Sequence, residues 1–202
     1  MKKKVILFFC ILIFVYAVGG SIYYLVTRDS DDGDKVVITN KDKIKGYDYT
    51  LKSNATKLYE DEFKVLKDNL EGEVNYDEYA NSIAKLFVID LYTINNKLNK
   101  YDTGGATFVY PDGRDNYKLN VQNTIYKYVE DNTDGKRNQV LPEVSSVTVK
   151  DSKKETFTIN NVSYESYKIN LEWSYVQDLG YDKSGEVILI KKDKNIYVVE
   201  KN

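Results

Sequence analysis

The chain has 202 residues, with 29 Lys and Arg against 31 Asp and Glu, a formal charge of −2, and no histidine. The missing imidazole excludes a Ser-His-Asp triad, a Cys-His pair, a histidine metal site and an imidazole proton shuttle. The single cysteine, Cys10, allows no intrachain disulfide, so stability must come from packing.

The first element in chain order is an uncharged run from Val5 to Val26. As a helix it would span roughly 30 Å, enough to cross a bilayer. Lys2, Lys3 and Lys4 precede it, and Arg28 is followed by Asp29, Asp31, Asp32 and Asp34. This asymmetry predicts a cytoplasmic basic tip at residues 1–4, a transmembrane anchor at 5–26 and export of everything beyond. Ala17-Val18-Gly19 has small residues at signal-peptidase spacing, but Ile22 to Val26 extends the apolar run past it and favours an uncleaved anchor. Cys10 follows the bulky Leu7-Phe8-Phe9, which does not suit a lipidation signal, so it reads as a thiol within the span.

Setting aside Lys2, Lys3, Lys4 and Arg28 leaves 25 basic residues against 31 acidic ones in the exported part. This acidic balance offers no basic stripe for nucleic acid. The 19 tyrosines and 2 prolines read as compositional bias rather than as a tyrosine-dependent function.

Residues 27–46 read as a tether, polar and turn-prone, within which Val36 to Thr39 has the composition of a short strand. The acidic cluster starting at Asp29 misses the register of a calcium loop, because Gly33 falls fifth and Asn40 twelfth. The remaining 47–202 is expected to form one α+β domain. A first helix is expected from Asn54 to Asn69, with Tyr59, Phe63, Leu66 and Leu70 on one face and Gly72 as the stop. A second, longer helix is expected from Tyr76 to Lys100, capped by Asn75, with Tyr79, Ile83, Phe87, Leu91, Ile94 and Leu98 sharing a face. Asp90 lies in or beside that face, where an unpaired carboxylate is costly.

Tyr101 to Gly105 reads as a turn, Ala106 to Tyr110 as a short strand and Pro111-Asp112-Gly113 as a second turn. Gly104-Gly105 lacks the Lys-Ser or Lys-Thr of a phosphate loop. A third helix is expected from Asp115 to Glu130. The loop after it places Asn132, Asp134 and Gly135 at calcium-loop positions, yet Leu141 occupies the position of the bidentate glutamate. No metal or cofactor is expected. From Pro142 the period changes to two, through Val147 and Val149, Phe157 and Ile159, then Tyr167, Ile169, Leu171, Trp173 and Tyr175. Turns at Asn160-Asn161 and Lys192 to Asn195 complete an antiparallel meander, which the helices cover on one side.

Helices first, then a short strand, a helix and a C-terminal meander: this order over 47–202 resembles the NTF2-like, cystatin-like cone, in which a curved sheet wraps a long helix. Behind a single N-terminal span it is similar to the extracytoplasmic domains of secretion and conjugation scaffold subunits. Tyr110-Pro111-Asp112-Gly113 is a loose echo of the Asn-Pro-x-Gly turn seen in those scaffolds. The resemblance implies a membrane-anchored, extracytoplasmic binding or assembly module without enzymatic activity, meeting the bilayer through 5–26 and a protein partner or second copy through the domain. The alternative is a small-ligand pocket or carboxylate-dependent enzyme using the cone interior, lined by Tyr79, Asp90, Trp173 and Tyr175.

Overall fold

The computed structural model describes residues 35–202. The expected basic tip, anchor and early tether, with Cys10, lie outside the described residues. Among the described residues no helix is long and apolar enough to cross a membrane. Val36–Asn202 is one compact unit, α+β in class.

This unit takes in the last part of the stretch read as tether. β1 (Asn40–Lys43) pairs antiparallel with β2 (Thr50–Lys52). The expected strand at Val36 to Thr39 is displaced to these next residues. Between them Ile44 is fully buried and Tyr49 is 5% exposed. Tyr49 stacks on Phe108 at 5.7 Å and on Tyr47 at 6.0 Å. Apolar burial of Ile44 and this aromatic stack hold the segment on the domain.

α1 (Lys57–Glu71) starts where the Thr56 hydroxyl accepts from Tyr59 N, and it buries Phe63, Leu66 and Leu70. α2 (Tyr76–Tyr92) starts where Asn75 Oδ1 accepts from Asp77 N at 3.0 Å and Glu78 N at 3.3 Å. Asp77 and Glu78 add charge that complements the positive end of the helix. The Asn69 amide clamps the α1–α2 junction, donating to Asn75 O and accepting from Asn75 N, each at 2.9 Å.

Eleven of the residues of α2 are buried, on almost every side, so it is a central helix rather than the one-faced helix expected. It also ends at Tyr92, not Lys100. Thr93 leaves the helical conformation, its hydroxyl accepts from Val144 N, and Ile94 N and Asn95 N both donate to Pro142 O. Amides that would have continued the helix are thus bonded to Pro142, at the strand entry far along the chain.

Ala106 to Tyr110 is not a strand. Ala106–Phe108 forms one tight helical turn behind Gly105, and Val109 then lies parallel to Val198 with Tyr110 N donating to Val198 O at 2.9 Å. After the Pro111–Gly113 turn, α3 covers Arg114–Asn123, shorter than expected. At its end Thr124 back-bonds to Asn120 O at 2.7 Å, a hydroxyl contact that competes with helix continuation.

β3 (Val144–Ile159), β4 (Val162–Tyr175), β5 (Ser184–Lys192) and β6 (Asn195–Lys201) form an antiparallel meander in the order β3-β4-β5-β6. Asn160 and Asn161, at φ 50° and 65°, make the two-residue turn expected between the first pair. Tyr167, Ile169, Leu171 and Trp173 alternate into the core, where Leu189, Ile196 and Val198 join them. β4 pairs with β5 only from Ser166 to Glu172, so the β3–β4 hairpin runs on past the rest of the sheet.

Candidate functional site

Asp90 stands near the C-terminal end of α2. Its two carboxylate oxygens have different partners: Oδ1 accepts from Lys97 Nζ at 2.5 Å and Oδ2 from Gly105 N at 2.7 Å. The Lys97 side chain is 6% exposed and that of Asp90 26%. Burial alone would raise the Asp90 pKa. The charge of Lys97, with the hydrogen bonds from Lys97 and Gly105, outweighs it and holds the carboxyl below its usual range. In a helix continued through Lys100 these two residues would lie about 10 Å apart along the axis. The break at Thr93 folds the chain back and brings the ammonium onto the carboxylate.

The pair forms one wall of a cavity of about 60 Å³, between β2, the start of α1 and the turns that follow α2. Tyr59, Lys52, Asn96 and Asp102 face it with Asp90 and Lys97. Asn54 and Asn96 are locked reciprocally: Asn54 Nδ2 donates to Asn96 O at 2.7 Å, and Asn96 Nδ2 to Asn54 O at 2.9 Å. That lock fixes which way the Asn96 amide points and leaves its Oδ1 buried without a protein partner. An orphan acceptor of this kind costs about 1–3 kcal/mol. Lys52 Nζ lies 3.7 Å from Asp102 Oδ1. Burial, then the negative charge of Asp90, pushes the Tyr59 hydroxyl well above its ordinary pKa, so it stays a neutral donor.

The four residues expected to line one pocket are not brought together. Tyr79 is fully buried at the other end of α2, its hydroxyl 2.7 Å from that of Tyr49. Its eleven-residue separation from Asp90 corresponds to about 16 Å of helix. Trp173 and Tyr175 do meet: the indole Nε1 donates to Tyr175 Oη at 2.9 Å, and Trp173 stacks on Tyr92 at 5.0 Å. Only Asp90 of the four faces the cavity. Lys97, Lys52 and Asn96 escaped the sequence reading, and Tyr59 was read only as part of the first helix's apolar face, because β2, the start of α1 and the turns after α2 are brought together by the fold, with no periodic spacing to link them.

A second, open groove of about 650 Å³ runs beside the edge of β6, walled by Tyr110, Tyr117 and Phe157, with Val198, Asn116 and Lys201 along it. Tyr110 Oη accepts from Lys192 Nζ at 2.9 Å, and Tyr110 meets Tyr197 edge-on at 5.8 Å. Among the described residues no group of three His, Cys, Asp or Glu is placed to hold a metal ion. In the loop after α3, Asp131 Oδ1 accepts from Thr133, Asp134 Oδ1 from Lys136 N and Asn132 Oδ1 from Arg137 N. Its oxygens are thus bonded to the loop's own amides and hydroxyl.

Compared with protein-family models, curated proteins and solved structures, the chain matches none.

Proposed function

We propose that the chain is a membrane-anchored, extracytoplasmic binding or assembly module rather than an enzyme. Residues 5–26 serve as the bilayer anchor with the N-terminus cytoplasmic, and the domain is an NTF2-like cone in which α2 is the wrapped helix. The observation that carries this reading is the groove beside β6. It is large enough for a segment of a partner or of a second copy, and its aromatic walls reach from α3 to the overhanging β3–β4 hairpin. The state of Asp90 supports the same reading, since a carboxylate held ionised by its own lysine is poorly suited to general-acid work.

Photo-crosslinking in the native membrane tests it. A photoreactive residue replacing Asn116 or Phe157 is expected to yield a discrete adduct, with a partner or a second copy, that is missing when the same residue replaces Asn138 in the loop after α3. Equal labelling from all three positions, or none from the groove, would remove the basis of the proposal. Protease shaving of intact cells tests the address separately, and a C-terminal domain left untouched would count against it.

A further inference from the structure

We propose that the end of the domain at which the chain enters, around Val36, docks shallowly on the lipid surface through Tyr101, Tyr128 and Val140 with Val36 and Val37. This goes beyond the assembly reading and rests on one part of it, residues 5–26 as the bilayer anchor.

Nine large apolar side chains are exposed among the described residues, and these five belong to segments stitched together at the end where α2 finishes. Val36 N donates to Thr133 O at 2.8 Å, Asn132 N to Leu98 O at 2.7 Å, and Gln139 Nε2 to Tyr128 O at 2.9 Å. Tyr101 N donates to Asn99 Oδ1 at 3.0 Å, and Asn99 Nδ2 to Asp131 Oδ2 at 3.4 Å. Arg137 ties the same loop to the chain after α2, through Lys97 O at 2.9 Å and Asn95 O at 2.7 Å. Val37, Tyr101, Tyr128 and Val140 are 65–76% exposed, apolar surface that gains about 25 cal/mol per Å² on leaving water.

The two tyrosines suit a lipid interface. Lys100 Nζ stands 5.0 Å from the centre of the Tyr101 ring, and Lys127 Nζ 5.1 Å from that of Tyr128. A tyrosine with an ammonium beside it rests its ring at headgroup depth while the cation meets phosphate. From Lys127 to Val140, Lys127, Lys136 and Arg137 are balanced by Glu130, Asp131 and Asp134. That balance gives an anionic surface little hold, so apolar contact does the docking. The leash supplies the rest. Ten peptide steps from Val26 to Val36 reach at most about 35 Å, which keeps this end near the bilayer, and an affinity too weak for a free domain suffices for a tethered one. Val162, an exposed valine at the tip of the β3–β4 hairpin, marks the opposite end. β3 begins beside Thr93, where Val144 N is bonded, and by Lys154 has reached Asp77 at the start of α2, at 2.6 Å.

Lipid quenching of a fluorophore on the full-length chain tests this. With Cys10→Ala as background, Asn138→Cys or Val162→Cys carries the label, and the chain is reconstituted into phosphatidylcholine vesicles containing a nitroxide lipid. Quenching at 138 is expected to exceed that at 162 about threefold or more and to persist in about 0.5 M salt. Adding Tyr101→Ser and Tyr128→Ser, both at exposed positions, is expected to bring it down to the level at 162. The docking is overturned if the two positions quench alike, if salt abolishes the difference, or if the tyrosine variants quench like the parent. It is equally overturned if the emission at 138 shifts to the blue without quenching, the mark of a second copy on this face. Those outcomes leave the anchor standing, whereas a chain that fails to float with the vesicles overturns the anchor and this inference together.

Discussion

Lys97 donates to Asp90 at 2.5 Å from seven residues further along the chain, a contact made possible only because α2 stops between them. Removing the lysine leaves a mostly buried carboxylate with one amide donor. Lys97→Met is therefore expected to destabilise the domain by about 3 kcal/mol, whereas Asp90→Asn with Lys97→Met should recover more than half of that. Urea unfolding of the two single variants and the double variant measures the coupling.

The same pair sets an acid limb. A carboxyl whose pKa lies lower in the folded than in the unfolded chain binds fewer protons when folded. Its contribution is complete above the ordinary value of 3.8 and is lost as the pH falls through the lower folded value. Stability measured from pH 7 down to pH 2 should fall less steeply below about pH 4 in Asp90→Asn than in the parent chain.

The Gly104-Gly105 turn that bonds Asp90 is sterically closed. A Cβ at Gly104 would stand 1.9 Å from Asp90 O, and one at Gly105, where φ is +76°, would stand 2.6 Å from Tyr117 Oη. Gly104→Ala is expected to cost about 4 kcal/mol or more and Gly105→Ala about 2–3 kcal/mol. Thermal melts would rank them, and an Ala at either position that melted like the parent would contradict the packing.

Tyr79 and Tyr49 share a hydroxyl contact inside the core, and Tyr79 Oη also accepts from Ile196 N at 3.4 Å. Tyr79→Phe alone should cost about 1–2 kcal/mol, because it strands the Ile196 amide and takes one of the two partners of the Tyr49 hydroxyl, which still donates to Ile196 O at 3.2 Å. Because the hydroxyl contact is shared, Tyr79→Phe with Tyr49→Phe should cost less than the sum of the two single variants. Denaturation midpoints of the three variants decide between this network and two independent contacts.

Trp173, the single tryptophan, reports on its own surroundings. Tyr175→Phe removes the acceptor for its indole N–H while leaving the stack on Tyr92. A shift in native-state tryptophan emission with a stability loss of about 1 kcal/mol is expected. Unchanged emission would place the indole outside this bond.

Local signals in the chain were legible where their causes are local. The Asn75 cap, the Gly72 stop of α1, the Asn160-Asn161 turn and the two-residue period of β4 all depend on neighbours in sequence, whereas α1 starts at the Thr56 cap rather than at the expected Asn54. The end of α2 was not legible, because its amides are taken by Pro142 and its Thr93 hydroxyl by Val144, 51 residues away. The site followed the same division. Asp90 stood out as a carboxylate in an apolar run, while its partner Lys97 fell into place only through that helix end. Burial of Ile44 was hidden for the related reason that the core it joins, which also holds Tyr49 and Phe108, is assembled by the fold.

The tyrosines of the core form much of the domain's internal polar wiring: Tyr126 Oη donates to Leu91 O at 2.8 Å, Tyr117 Oη to Gly104 O at 2.8 Å and Tyr92 Oη to Asp182 Oδ2 at 3.2 Å. Burial pushes all three phenols above their ordinary pKa. A network built from phenols and amides, rather than imidazoles, carries no proton equilibrium near neutrality. Its contacts persist unaltered whether the surrounding medium is mildly acidic or mildly alkaline.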